Sequence, residues 1–108
     1  YNTDAQVPDS AGTATAMTTG MKTRIGVLGM RPGQGPADCT AAAALPANLG
    51  RLAHARGLNV GLVTTTRITH ATPAAMFAHV PNRDWEAMDA AYPAAARGSG
   101  CRDIADQL

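Results

Sequence analysis

Apolar residues in the middle of the chain follow two spacings, which predict a helix and then a strand. Leucines along one helical face predict a helix over residues 46–56, and Gly57 ends it. These leucines are Leu45, Leu49 and Leu52. Residues 59–65 form a continuous apolar run with a β-branched end, which is typical of a strand buried on both faces of a parallel sheet. A helix that leads through a glycine into such a strand predicts an α/β fold.

Glycine and proline divide the rest of the chain into shorter predicted elements. A run of small residues predicts the first helix, and Gly20 follows it as a suitable C-terminal stop. In chain order the predicted elements are a helix over residues 10–19, a strand over 24–29, a loop over 31–38, a helix over 73–79, an irregular or weakly helical stretch over 88–100, and the first turns of a helix over 102–108.

Asp9 and Ser10 lie at the start of the first predicted helix, directly after Pro8. The free N–H groups and the positive end of the helix dipole favour an anion at such a position. A serine hydroxyl placed there is therefore suited to phosphate chemistry or to reaction as its alkoxide. The alternative interpretation is that Ser10 only caps the helix. We predict that Ser10 is the centre of the chemistry.

A second group of polar residues follows the predicted strand over residues 59–65. Ligands of α/β sheets gather beyond the carboxyl ends of strands, and His70 and Thr72 lie there. Thr72 followed by Pro73 also has a purely structural interpretation, as the N-cap and first residue of a helix. Arg83, further on, is either a solvated surface charge or a bidentate clamp on two phosphate oxygens.

Composition and charge exclude several classes of function. The formal net charge is +1 and the basic residues form no dense stripe, which argues against a nucleic-acid partner or a membrane surface. No apolar run approaches the length of a bilayer span. Cys39 and Cys101 lack the spacing of a zinc knuckle, so they are either unrelated thiols or one long-range disulfide. Both ends of the sequence read as cut, so we expect residues 1–108 to be an internal fragment of a single catalytic domain.

Taken together, these motifs resemble those of the metal-dependent alkaline phosphatases. Residues 1–16 resemble that family's nucleophile segment almost letter for letter, and three further stretches follow in the family's order. These stretches are residues 63–75 with the magnesium-side loop, residues 78–85 with the phosphate-binding arginine, and residues 100–105. The resemblance implies a three-layer α/β/α sandwich with a mainly parallel central sheet, of which this chain would form part.

The resemblance also implies roles for individual residues. Ser10 would be the nucleophile and would form a covalent phosphoserine that water then hydrolyses. Arg83 would bind two phosphate oxygens, and Asp9 would orient Arg83 through a salt bridge. Ser10 would also bind a zinc ion, Thr72 would be a direct magnesium ligand, and His70 would lie beside that magnesium, through a water. One bacterial branch of the family carries aspartate at the position of His70.

Further implications of the resemblance concern cofactors, partners and location. The family uses two zinc ions and one magnesium ion and acts on phosphate monoesters, with inorganic phosphate as product. We therefore expect a homodimeric, periplasmic or extracellular parent protein, and the resemblance favours a Cys39–Cys101 disulfide. Most zinc ligands of the family lie outside the matching segment, so we expect the fragment alone to be inactive.

Two alternatives from other classes stay open. A sulfatase or phosphodiesterase of the same superfamily is expected to carry a different nucleophile and to lack the Arg83 segment. A non-catalytic α/β binding domain would use Ser10 only as a helix cap. A serine esterase is disfavoured, because no Gly-x-Ser-x-Gly elbow surrounds Ser10.

Overall fold

The structure, a computed structural model, describes residues 1–41, 45–88 and 92–108. Short helices and extended loops make up this part of the chain. The α-helices of the described part are α1 (Ser10–Thr19), α2 (Leu49–His54), α3 (Ala71–Ala74) and α4 (Ala94–Gly98). Pro36–Asp38 and Ala105–Gln107 form 3-10 helices. Of the stretch 88–100, which we predicted to be irregular or weakly helical, residues 89–91 lie outside the described residues.

Helix α1 has the predicted bounds. It ends at Gly20, which adopts φ 74°, the left-handed conformation that glycine accepts without the steric penalty of a Cβ. Its buried residues are small: Ala11, Gly12, Ala14 and Thr15. Small side chains let the backbone of α1 approach its neighbours closely, and it packs against both α2 and α3.

Alanine-lined helices form one side of the core, and larger apolar side chains fill the rest. Ala11 and Ala14 of α1 lie in one buried cluster with Ala71 and Ala74 of α3. The larger members of that cluster come mainly from outside the helices and are Leu28, Val80, Trp85, Tyr92 and Ile104. The Trp85 and Tyr92 rings meet edge to face, with centroids 5.2 Å apart.

The two predicted strands are wrong for this structure. Among the described residues, β pairing is limited to one isolated antiparallel bridge between Leu28 and Val80. Residues 59–65 form neither a strand nor a helix, and the Val63 side chain is fully exposed instead of buried. A strand needs a neighbour to satisfy its N–H and C=O groups, and no other described segment pairs with this one.

The later predicted helices are shorter than the sequence pattern indicates. The helix over residues 46–56 reduces to α2, and its residues Leu49 and Leu52 are 56% and 42% exposed because no described element covers them. The helix over residues 73–79 reduces to α3, which begins two residues earlier. Thr72 therefore lies inside the first turn and is not the N-cap; His70 occupies that position, without a side-chain capping bond.

A disulfide joins Cys39 to Cys101, as the resemblance implied, with their Cα atoms 5.0 Å apart. The bond connects the segment after the Pro36–Asp38 turn to the segment after α4. Because 62 residues separate the two cysteines along the chain, the bond holds together parts that local structure leaves independent. Within the described residues, no helix has the length and apolar character that crossing a membrane requires.

Candidate active site

Backbone pairing carries Arg83 to the start of α1. Leu28 and Val80 exchange two hydrogen bonds of 2.9 Å, and three residues later the Arg83 N–H donates to the Gly26 carbonyl over 2.7 Å. These bonds align the segment after Val80 with the segment before Leu28. The Arg83 side chain is thereby held over the first turn of α1, although more than 70 residues separate them in sequence.

The first turn of α1 is capped by Asp9 and not by Ser10. The Asp9 carboxylate accepts the Gly12 N–H over 2.9 Å, which satisfies one of the free donors at the helix start. Ser10 is the first helical residue, and its half-buried hydroxyl bonds no backbone N–H of the helix. Its Oγ instead accepts a hydrogen bond from Arg83 Nη1 over 2.6 Å. The simple cap interpretation of Ser10 does not describe this geometry.

The Arg83 guanidinium bridges three of the residues singled out in the sequence. Nη1 lies 2.6 Å from Ser10 Oγ and 3.4 Å from Asp9 Oδ2, and Nη2 donates to His70 Nε2 over 3.3 Å. Because arginine can only donate, His70 Nε2 must carry a lone pair in this arrangement. The Arg83 and Asp9 side chains are 24% and 17% exposed, so solvent screens their ion pair less than a surface pair.

Asp9 stays ionised in this surrounding. Burial raises its pKa, but hydrogen bonds from Gly12, Asn2, Gly26 and Arg83 together outweigh that effect and hold the pKa of Asp9 below its ordinary value. A carboxylate that stays charged can orient a guanidinium across a wide pH range. Asp9 thus links the helix start to Arg83.

His70 and Thr72 have different positions relative to this cluster. His70 contacts Arg83 directly, through Nε2. Thr72 is exposed on α3, and none of the hydrogen bonds found among the described residues joins it to Ser10, His70 or Arg83. The structure therefore brings four of the five predicted site residues together and leaves Thr72 beside them.

Three residues that hold the site side chains or the segments carrying them were not predicted as site residues from the sequence. Asn2 donates to Asp9 Oδ1 over 3.1 Å, and the Gly26 N–H donates to Asp9 Oδ2 over 3.0 Å. Glu86 accepts two hydrogen bonds from Arg67, of 2.9 and 2.7 Å. These bonds join the segment before His70 to the segment after Arg83. Each contact joins distant parts of the chain, and such pairs follow from the tertiary structure and not from local spacing.

The donors for a metal ion are present only in part. Hydroxyl oxygens and imidazole nitrogen are ordinary ligands of zinc or magnesium, and Ser10, His70 and Thr72 offer them. Among the described residues, however, no group of three or more His, Cys, Asp or Glu side chains could enclose an ion. The described residues thus offer single donors to a metal site, and no complete site is found among them.

Comparison with known proteins gives a family for this cluster of residues. The family model described as alkaline phosphatase matches residues 1–108, which is the entire chain. The chain belongs to the alkaline phosphatase family. It is 50% identical to the tissue-nonspecific alkaline phosphatase isozyme of Gallus gallus and 47% identical to that of Homo sapiens, in each case over 109 aligned residues. All of this chain is aligned in both cases, and it spans only 21% of the length of these alkaline phosphatases.

Solved structures of alkaline phosphatases share the fold. The enzyme from the Antarctic bacterium TAB5 matches with a TM-score of 0.65 and 32% identity, over 79% of this chain and 22% of that one. A cold-active alkaline phosphatase from a psychrophilic Shewanella matches with a TM-score of 0.64 and 30% identity, over 94% and 23% of the two chains. One solved variant of the TAB5 enzyme has Mg bound in its M3 site. The short helices and extended loops of this chain are thus arranged as in an alkaline phosphatase.

Proposed function

We propose that residues 1–108 form part of the catalytic domain of a longer protein that hydrolyses phosphate monoesters through a covalent phosphoserine at Ser10. The contact between Arg83 Nη1 and Ser10 Oγ, 2.6 Å long, carries the proposal, because a guanidinium is suited to bind phosphate oxygens and the serine hydroxyl beside it is suited to act as a nucleophile. The family membership of the chain supports the choice of phosphate monoesters over sulfate esters or diesters.

In the proposed reaction, Ser10 Oγ loses its proton and attacks phosphorus opposite the leaving oxygen. The new bond joins Oγ to phosphorus while the bond to the alcohol oxygen breaks, and that oxygen departs with the bonding electron pair and takes up a proton. Water then attacks the phosphoserine, releases inorganic phosphate and returns the Ser10 hydroxyl. Arg83 would hold two non-bridging oxygens through both steps, and Asp9 would orient Arg83.

We propose that the longer protein holds two zinc ions and one magnesium ion, and that this chain contributes ligands to one of the zinc ions and to the magnesium. Ser10 Oγ would bind a zinc ion, Thr72 would bind magnesium directly, and His70 would contact the magnesium through a water. When bound, these ions would supply the positive charge that favours the serine alkoxide and stabilises the phosphoryl oxygens. The other ligands would come from further parts of the longer protein, so residues 1–108 alone should show no phosphatase activity.

The same proposal extends to the architecture and setting of the longer protein. Residues 59–65 would there join a mainly parallel central sheet of a three-layer α/β/α sandwich, which would bury the exposed Val60 and Val63 side chains. The Cys39–Cys101 disulfide supports an oxidising location, either periplasmic or extracellular. A homodimer is the assembly that we propose, by analogy with the family.

Ser10→Ala in the longer protein tests the proposed nucleophile. We expect loss of turnover of an aryl phosphate and loss of the acid-stable phosphoenzyme that labelled substrate should leave on the wild-type protein. Ser99→Ala is the matched control, because Ser99 Oγ bonds only to backbone near α4 and should leave turnover unchanged. Unchanged turnover in a folded Ser10→Ala variant would contradict the proposal, as would faster hydrolysis of an aryl sulfate or a phosphodiester by the wild type.

A further inference from the structure

The Asp9 carboxylate is fixed by hydrogen bonds on both of its oxygens. Oδ1 accepts from the Gly12 N–H over 2.9 Å and from Asn2 Nδ2 over 3.1 Å. Oδ2 accepts from the Gly26 N–H over 3.0 Å and from Arg83 Nη1 over 3.4 Å. The orientation in which Oδ2 faces Arg83 therefore depends on what holds Oδ1 on the opposite side.

Asn2 is a buried side chain in an otherwise exposed segment. It is 4% exposed, while its neighbours Tyr1 and Thr3 are exposed. Backbone bonds fix this segment, since the Asn2 N–H donates to Ala5 and the Thr3 N–H donates to Thr23, each over 2.9 Å. A polar amide that is buried at this depth needs a partner, and its amide nitrogen donates to Asp9.

Gly12 leaves the space that the Asn2 side chain occupies. A Cβ at position 12 would lie 2.1 Å from Asn2 Oδ1, 2.8 Å from its Cγ and 3.0 Å from its Nδ2. All three distances are shorter than normal contacts, and all three atoms belong to the same side chain. Any larger residue at position 12 would displace Asn2 from Asp9.

We propose that Asn2 is a positioning residue for the phosphate site, and that Gly12 makes its position available. Asn2 holds Oδ1 of Asp9, so that Oδ2 stays directed at Arg83, and Arg83 in turn stays over Ser10. This role rests on the proposed function, in which Arg83 binds the phosphoryl group. It adds a residue that acts through Asp9 and does not itself touch the substrate.

The first test is the affinity of the longer protein for inorganic phosphate, measured as competitive inhibition of aryl phosphate hydrolysis. Asn2→Ala should raise the inhibition constant and KM together by roughly 3- to 10-fold, the range expected from the loss of one hydrogen bond. kcat should change by less than KM does. Gln6→Ala is the control, because Gln6 is an exposed amide in the same segment. An unchanged inhibition constant in folded Asn2→Ala would overturn the proposal.

A double-mutant cycle separates positioning from a general effect on folding. Gly12→Ala should weaken phosphate binding in the wild-type background, because the new methyl group displaces Asn2. In the Asn2→Ala background the methyl group finds free space, so Gly12→Ala should add no further loss. There it should also leave the thermal midpoint unchanged or raise it, because alanine is the better helix former. Losses that simply add in the double variant would overturn the coupling between the two residues.

Two more measurements keep the outcomes distinct. Asn2→Asp nearly preserves the shape of the side chain and sets a second carboxylate against Asp9. It should therefore weaken phosphate binding more than Asn2→Ala does. If Asn2→Ala fails to fold, the phosphate affinity of Asn2→Asp tests the role of Asn2 in its place. Ser10→Ala measured in parallel separates the two proposals. Active Ser10→Ala contradicts the proposed function itself, whereas inactive Ser10→Ala with normal phosphate affinity in Asn2→Ala contradicts only the role of Asn2.

Discussion

Arg83 Nη1 donates to Ser10 Oγ over 2.6 Å, although 73 residues separate the two in sequence. The Leu28–Val80 bridge and the bond from the Arg83 N–H to Gly26 bring the two segments together. The side-chain contact is therefore supported by backbone hydrogen bonds on one side and by the Asp9 cap on the other. In the proposed reaction, a guanidinium held in this way would need little reorganisation to bind the phosphoryl group.

Arg83→Lys in the longer protein should weaken phosphate binding although it keeps the positive charge. A single ammonium cannot contact Ser10 and His70 at once in the way that the planar guanidinium does. We expect the inhibition constant of inorganic phosphate to rise roughly 10- to 100-fold, as for the loss of a charge-assisted hydrogen bond. Arg102→Lys is the control, because Arg102 pairs with Asp106 on the surface. Equal effects of the two substitutions would argue against a bidentate role.

Glu86→Gln should lower the free energy of unfolding, because it removes the ion pair with Arg67, and the size of the effect should depend on pH. Hydrogen bonds from Arg67 and, to a smaller extent, from Thr69 outweigh burial and lower the pKa of Glu86 from 4.5 to about 2. The folded-state pKa is below the unfolded one, so the stabilisation is present above pH 4.5 and is lost as the pH falls towards about 2.

Urea unfolding of wild type and Glu86→Gln across this pH range checks the prediction. The difference in unfolding free energy between the two proteins should shrink as the pH falls from about 5 to about 2. The difference should be modest even at neutral pH, because the Arg67 side chain is 67% exposed. Asp106→Asn serves as the comparison, because it removes a different surface ion pair, the one between Asp106 and Arg102. A difference in unfolding free energy between wild type and Glu86→Gln that grows towards low pH would contradict a stabilising role of the ionised Glu86 carboxylate.

The Cys39–Cys101 disulfide should stabilise the chain mainly by restricting the unfolded state. A separation of 62 residues corresponds to about 4 kcal/mol of unfolding free energy in the chain-entropy model. Cys39→Ser and Cys101→Ser should each lose this contribution, and the double variant should lose no more than the single ones. Chemical denaturation with and without a reductant measures it. Wild-type stability that is insensitive to reduction would contradict the prediction.

His79 should make the protein less stable below neutral pH. Burial lowers the pKa of His79, a nearby Arg51 lowers it further, and the hydrogen bond to the Gly29 carbonyl opposes both. The unfolded chain therefore takes up a proton near pH 6.5 before the folded one does, so the free energy of unfolding falls as the pH drops through this range.

The variant His79→Asn separates this titration from packing. The carbonyl of Gly29 can only accept, so His79 Nδ1 must donate to it over 2.6 Å, and an asparagine amide can replace that donor without titrating. We expect the loss of stability between about pH 8 and pH 5 to be smaller in His79→Asn than in wild type. An unchanged slope in His79→Asn would show that another group is responsible.

Local signals in the sequence predicted the start of α1 and its end at Gly20. These features depend on hydrogen bonds within a few residues, such as the Asp9 cap and the left-handed glycine. The resemblance of four motifs to one family then predicted one site that contains Asp9, Ser10, His70, Thr72 and Arg83, of which Thr72 makes no contact with Arg83 here. The contacts of Arg83 agree with that grouping for the other three residues.

Other predictions from the same local signals were wrong. The apolar run over residues 59–65 has the composition of a buried strand, yet it pairs with no described segment and is largely exposed here. Thr72 has the sequence of an N-cap, yet α3 begins one residue before it. Whether a β-prone segment becomes a strand depends on a partner strand, and local composition carries no information about that partner.

The sequence by itself determined which residues could carry phosphate chemistry and where the first helix begins and ends, because both depend on residue type and near neighbours. Only the tertiary structure decided that Arg83 bonds to Ser10, and that Asn2 and Gly26 hold the Asp9 carboxylate. No helical or strand periodicity relates these residues, and their contacts depend on how the intervening residues pack. Gly12 is an example. The sequence shows only a glycine in a helix, whereas the structure shows that the missing Cβ leaves room for the Asn2 side chain.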